Sequence, residues 1–179
     1  MARFQPAVDY AIWNETSGRA DGAPTRDPLD PGGFTRWGLA QRSHPKVNIA
    51  ALSRADACAI YIAQYWEPAP GLALLTSQRI ATKAFDHIVH LGIRGGSLAV
   101  QRTVNDINGR PAGFGALRED GKLGPVTASA VNLIPEQQYL VAFALHMARV
   151  YELICLRHGG AYQRRYLTGF LNRARRIPA

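Results

Sequence analysis

Apolar residues recur at helical spacing along most of this chain, and the places where the spacing fails are as informative as the places where it holds. Val8, Ala11, Ile12 and Glu15 stand at i, i+3, i+4 and i+7. They predict one face of a helix over about 5–17, with Pro6 at an early helical position. From 18 to 39 the period disappears. Asp-Gly, Asp-Pro and Pro-Gly-Gly turns separate short runs, which predicts a small twisted hairpin-like lobe. Ser53-Arg54-Ala55-Asp56 is a capping-box-like start for a helix to about Trp66, with Ala57, Ile60, Tyr61 and Tyr65 on its apolar stripe. Pro68 and Pro70 end it. A helix over about 76–91 follows, carrying Ile80, Ala84, Phe85, Ile88 and Leu91. Gly92, Gly95 and Gly96 should break the chain, and Ser97 should cap a further helix to about Asn108 with Gln101 and Asn105 on one side. After a Gly-rich loop over 109–125 come a short helix at Thr127–Leu133, a long core helix from Pro135 to about His158, and a last helix near 161–173. The expected fold is mainly α: a helical bundle with a small β-hairpin lobe beside a cleft, folded as a single domain over 1–179.

The most apolar segment, 139–156, carries His146, Arg149 and Glu152, so it reads as a buried amphipathic helix rather than a membrane span. The N-terminus lacks the long apolar run of a signal peptide, and none is expected. Cys58 and Cys155 lie in separate helical patterns and read as small buried thiols. No Cys/His cluster has zinc spacing, so neither metal nor cofactor is expected. Apolar content of 47% and charged content of 19% are ordinary, but the net charge is +8. No acid follows Glu152, whereas Arg157, Arg164, Arg165, Arg173, Arg175 and Arg176 do. Tyr162, Tyr166 and Phe170 interleave with these arginines at spacings of four. A terminal helix docking its aromatic face with its arginines in water is expected, with an anionic outer-membrane surface as a further partner. Nothing beyond charge points to nucleic acid, which is not an expected partner; a monomer is.

Glu15 is the leading candidate for chemistry. On the inward face of its helix, a carboxyl in a partly apolar cleft has its pKa raised and can hold the proton needed by a general acid that breaks a glycosidic bond. The plainer alternative is a carboxylate that reaches water or pairs with Arg19. The following loop supplies partners. Asp30 and Thr35 lie fifteen and twenty residues after Glu15, with Gly32 and Gly33 between them. Held by this turn, a carboxylate and a hydroxyl can orient water or stabilise positive charge on a sugar ring. Asp27 competes with Asp30 as the second carboxylate, and either can instead cap backbone N–H groups.

Glu15 and the run Arg-Asp-Pro-Leu-Asp-Pro-Gly-Gly-Phe-Thr-Arg-Trp-Gly-Leu at 26–39 resemble the motif of glycoside hydrolase family 108, phage endolysins and related muramidases with a lysozyme-like fold. The chain departs from it at Glu15-Thr16-Ser17-Gly18, where the family commonly has Glu-Gly-Gly-aromatic. The segments Ala84–Gly92, Ala99–Asn105 and Asp120–Thr127 are similar to the family's C-terminal part, described as a peptidoglycan-binding region. The resemblance implies a catalytic lobe at 1–70 and a helical peptidoglycan-binding lobe at 71–179. It also implies an N-acetylmuramidase acting on peptidoglycan, with Glu15 as general acid, Asp30 and Thr35 assisting, and Asp27, Trp37, Tyr65, Gln101 and Asn105 contacting sugar. A lytic transglycosylase using Glu15 alone, or a non-catalytic wall-binding module, is the alternative. An endolysin of this type waits in the host cytoplasm for holin-dependent release to the wall.

Overall fold

The computed structural model of the chain describes residues 1–19, 22, 25–26, 33–107 and 115–179. Helix α1, Phe4–Glu15, buries Ala7, Val8, Ala11 and Ile12, the face expected from their spacing. Three short strands follow, β1 (Thr25–Arg26), β2 (Phe34–Arg36) and β3 (Leu39–Ala40), in an antiparallel sheet ordered β1-β2-β3. Thr35 sits opposite both Thr25 and Ala40. This is the small lobe expected from the turn-rich segment.

Helix α2, Arg54–Tyr61, starts where the capping pattern places it. The Ser53 hydroxyl oxygen accepts from the Asp56 N–H at 3.1 Å, and the hydroxyl donates to the Asp56 carboxylate at 2.6 Å. The helix runs on as a single π turn, Ile62–Trp66. Helix α3, Gly71–Leu74, leads to the central helix α4, Gln78–Asp106. Phe85 of α4 lies at the centre of an aromatic cluster, with ring centroids 5.6 Å from Trp66 and 5.8 Å from Phe4.

Two details of α4 differ from the sequence expectation. Of the three glycines expected to break the chain, only Gly92 leaves helical geometry, at φ 76° and ψ 163°. The chain folds back there so sharply that a Cβ on Gly96 would lie 2.5 Å from the Ile88 Cα. Gly95 and Gly96 thus stay helical, and Gly96 is needed for close packing between the two halves rather than for a break. Ser97 is fully buried inside the second half and caps nothing.

Helix α5 spans Pro125–Asn132, with Pro at its start. Helix α6, Glu136–His158, buries Tyr139, Leu140, Phe143, Met147, Tyr151 and Cys155. It is long and apolar enough by length and composition to cross a membrane. Here one face packs in the core, while Leu145, Leu153 and Leu156 on the other are exposed. Gly159, at φ 86°, reverses the chain into helix α7, Gly160–Arg175. Phe170 of α7 packs against Tyr151 at 4.9 Å and His90 at 5.1 Å between ring centroids. Cys58 and Cys155 are free thiols.

Candidate active site

Glu15 is the last residue of α1, on the face that buries Ala11 and Ile12, and its side chain is 22% exposed. Three elements converge on it: the β2–β3 turn, the first half of α4 and the end of α7. The turn is two residues long, Trp37-Gly38, and both have positive φ, 52° and 82°. This is the twisted hairpin geometry normally supplied by Asn-Gly. Tryptophan rarely adopts it, and here two hydrogen bonds hold it. The indole Nε1–H donates to the Leu52 carbonyl at 3.0 Å, and the Trp37 carbonyl accepts from the Tyr61 hydroxyl at 3.0 Å. Gly38 then lies so close to the acid that a Cβ there would stand 2.6 Å from the Glu15 Cβ and from the Tyr61 Oη.

From α7, Arg173 Nη1 approaches Glu15 Oε1 to 2.7 Å. The guanidinium is anchored from behind by Asp86 of α4, which is fully buried. Nε donates to Asp86 Oδ2 at 3.0 Å and Nη2 to Oδ1 at 2.7 Å, a bidentate pair. Asn14 Nδ2 donates to the same Oδ1 at 3.0 Å. Lys83 holds the end of α7 in place, its ammonium donating to the carbonyls of Arg173 at 2.5 Å and Arg176 at 2.6 Å. His90 Nδ1 lies 3.0 Å from Arg173 Nη1 and 3.8 Å from Glu15 Oε1.

The electrostatic result reverses the sequence expectation. Burial by itself would raise the Glu15 pKa. The Arg173 charge, with His90 beside it, outweighs burial and holds the carboxyl at about 2. In the free protein Glu15 is therefore an ion-paired carboxylate, and Arg173, not Arg19, is its partner. Arg19 instead donates to the Thr16 carbonyl at 3.3 Å. Arg173 is also buried, unlike the solvated arginine expected from the terminal run.

Glu15 opens into a cavity of about 180 Å³ lined also by Gly38, Ser43, His44, Tyr65 and His90. Tyr65 is thus where a sugar-contacting residue is expected. The other candidates separate from it. Trp37 is buried and shapes the hairpin turn, so its ring offers no stacking face. Gln101 is 2% exposed and clamps the turn at Asp120–Lys122: its amide donates to Asp120 Oδ1 at 2.8 Å and accepts from the Gly121 N–H at 2.9 Å. Asn105 pairs with both the N–H and the carbonyl of Leu117. Both amides face this segment rather than the Glu15 cavity, because their backbone partners need satisfying in a place that water reaches poorly. Thr35 lies mid-strand in β2 and does not line the cavity. Asp27 and Asp30 lie outside the described residues. Among the described residues, no group of three His, Cys, Asp or Glu could hold a metal ion.

Sequence reasoning missed Asp86, His90 and Arg173 as companions of Glu15. Asp86 and His90 stand in the Ala84–Gly92 segment already singled out, four residues apart on one helical face. Arg173 carried no local signal, being one of six arginines in a cationic tail.

Residues 18–92 match the family model described as Glycosyl hydrolase 108. The matched stretch covers the hairpin lobe, α2, α3 and the first half of α4; it includes Asp86 and His90, and Glu15 lies just before it. No curated protein matches the chain. Among solved structures, one described as the structure of Brucella abortus SagA is similar at a TM-score of 0.66 and 21% identity, covering 96% of this chain and 91% of that one. That likeness extends the shared, mainly α lysozyme-like fold over nearly the whole chain.

Proposed function

We propose that this protein is a peptidoglycan hydrolase that cleaves the β-1,4 bond between N-acetylmuramic acid and N-acetylglucosamine, with Glu15 as general acid. The observation that carries this reading is the placement of Glu15: a carboxyl at the end of a buried helix face, opening into a cavity beside a hairpin whose turn only glycine allows to come so close. A general acid must hold a proton at the moment the leaving oxygen departs. Glu15 therefore has to exchange its contact with Arg173 for one with the substrate as the complex forms. Asp30, or Asp27 in its place, serves the opposite face of the sugar by positioning water or stabilising the oxocarbenium-like transition state. Tyr65 contacts the sugar from the cavity wall.

The helical part at 71–179 contributes to wall binding in this reading. The exposed Arg157, Arg164 and Arg175 support contact with an anionic wall or outer-membrane surface. The biological setting that fits is an endolysin released through a holin pore.

The test is lysis of outer-membrane-permeabilised Gram-negative cells by wild type and by Glu15→Gln, with mass spectrometry of the products. Lysis by wild type alone, releasing reducing muramic acid ends, is expected. Anhydro-muramic ends would make the protein a lytic transglycosylase. Wall binding without lysis by either protein would leave a binding module and overturn the catalytic reading.

A further inference from the structure

Arg173 and His90 also line a second, larger cavity of about 330 Å³. His90 borders both cavities, and the Glu15–Arg173 pair stands between them. The remaining wall includes Trp13, Asn14, Asn172, Arg173 and Arg176. Among the described residues, its formally charged members are both arginines and no acidic residue lines it.

Arg176 is the informative member. Its guanidinium Nη1 donates to Asn14 Oδ1 at 2.6 Å, and its central carbon lies 4.3 Å from the centroid of the Trp13 ring system. Among the described residues no carboxylate pairs with it. An exposed cation is thus fixed in position by an amide and a ring, neither of which neutralises it. Trp13 is fixed in turn by the chain reversal after α1, where Ser17 and Gly18 have positive φ and the indole rests against Gly18. Opposite, Arg173 directs Nε and Nη2 at Asp86, while Nη1 lies 2.7 Å from Glu15 Oε1 as an ion pair and 3.0 Å from His90 Nδ1. Two guanidinium groups facing one cavity, one of them without a counter-charge, make a receptor for an anion, and a carboxylate matches their planar donor geometry.

The glycan backbone of peptidoglycan is uncharged. Its carboxylates are on the peptide stem carried by the lactyl group of N-acetylmuramic acid. Resting on the peptidoglycan reading above, we propose that the cavity bounded by Trp13, Asn14, Arg173 and Arg176 is a subsite for a stem-peptide carboxylate, so that peptide-bearing glycan is the preferred substrate over bare polysaccharide. The position adds a consequence. A carboxylate seated between the two arginines competes with Glu15 for Nη1 of Arg173, so arrival of the correct substrate loosens the contact that keeps the acid ionised.

Two measurements test this. The first is calorimetric binding of the free stem peptide L-Ala-γ-D-Glu-meso-diaminopimelate, and of the same peptide with its carboxylates amidated, to the full chain. The carboxylate form should bind and the amidated form should bind about tenfold more weakly, one strong charge-assisted contact being worth about that. Arg176→Gln should lose a similar factor, and Arg176→Lys, which keeps the charge, should recover part of it. The second is the ratio of KM values on intact peptidoglycan and on the same polymer with its stem-peptide carboxylates amidated. Wild type should favour the intact polymer, and in Arg176→Gln the ratio should fall toward one. Equal binding of the two peptides, or binding indifferent to Arg176, would overturn the subsite whatever the hydrolytic activity. If wild type binds the peptide through Arg176 but cleaves neither polymer, the hydrolase reading fails and the subsite stands. If it cleaves both with equal KM and binds no peptide, the hydrolase reading stands and the subsite fails.

Discussion

The carboxylate of Glu15 and the guanidinium of Arg173 lie 2.7 Å apart, joining the end of the first helix to the end of the last. Asp86, from the middle of the chain, holds the same guanidinium from behind by two hydrogen bonds. One buried arginine therefore ties three distant segments together and fixes the protonation state of the candidate acid.

Acid stability should report this pair directly. The folded pKa of Glu15, about 2, lies below its ordinary 4.5. A depressed carboxylate contributes stability that is fully present above the ordinary value and is lost as pH falls from there through the folded value. The difference corresponds to about 3 kcal/mol. In urea titrations between about pH 5 and pH 2, wild type should lose this amount more than Glu15→Gln does. Parallel curves for the two proteins would show that Glu15 is not ion-paired.

Replacing Arg173 should be more damaging than replacing any exposed arginine of α7. Arg173→Met leaves Asp86, fully buried, and Glu15 without their cation. Breaking a buried pair from one side costs about 3–5 kcal/mol. Arg164→Met, in water, should change stability by about 0.5 kcal/mol or less. Thermal melts of the two variants give the comparison.

The hairpin turn should prove intolerant in a way that separates strain from collision. Gly33→Ala adds a Cβ at φ 76°, with its nearest neighbour 3.8 Å away, and should cost about 1–2 kcal/mol from backbone strain alone. Gly38→Ala has the same handedness problem and a Cβ 2.6 Å from the Glu15 Cβ. It should cost about 1–3 kcal/mol more and depress hydrolysis, because the turn must move off the acid. Equal losses in the two variants would remove the argument that this turn is built around Glu15.

The fold-back of α4 offers a similar contrast. Gly92→Ala meets no described atom within 4 Å and carries only the penalty of its backbone at φ 76° and ψ 163°, about 1–3 kcal/mol. Gly96→Ala places a methyl 2.5 Å from the Ile88 Cα. Since backbone cannot step aside as a side-chain end can, Gly96→Ala should unfold at the lower temperature of the two despite its helical φ.

Gln101→Ala should behave as a stability variant and not as a substrate-binding one. The loss leaves the Gly121 N–H and the carboxylate of Asp120 without their amide partner, at about 1–3 kcal/mol. KM on peptidoglycan should stay at the wild-type value while the melting temperature falls. A raised KM with unchanged stability would restore Gln101 to the substrate site.

Periodicity located α1, α2 and α4 to α7 to within a few residues but not the short α3, because one buried stripe and its caps are local properties: Ser53 caps α2, and Gly159 marks the end of α6. The turn-rich segment announced the hairpin, and the spacing of Val8, Ala11, Ile12 and Glu15 aimed the carboxyl inward. What surrounds that carboxyl was decided in three dimensions. Local pattern carries no information on which of six tail arginines returns to the core, and Arg173 reaches Glu15 only because α6 and α7 form a hairpin over α4. The sign of the pKa shift depends on that meeting, since burial raises a carboxyl and a cation in contact lowers it. Gln101 and Asn105 follow the same rule. Their four-residue spacing placed them together on a helix face, but only the packed loop determined that the face met backbone in need of partners, and not a sugar.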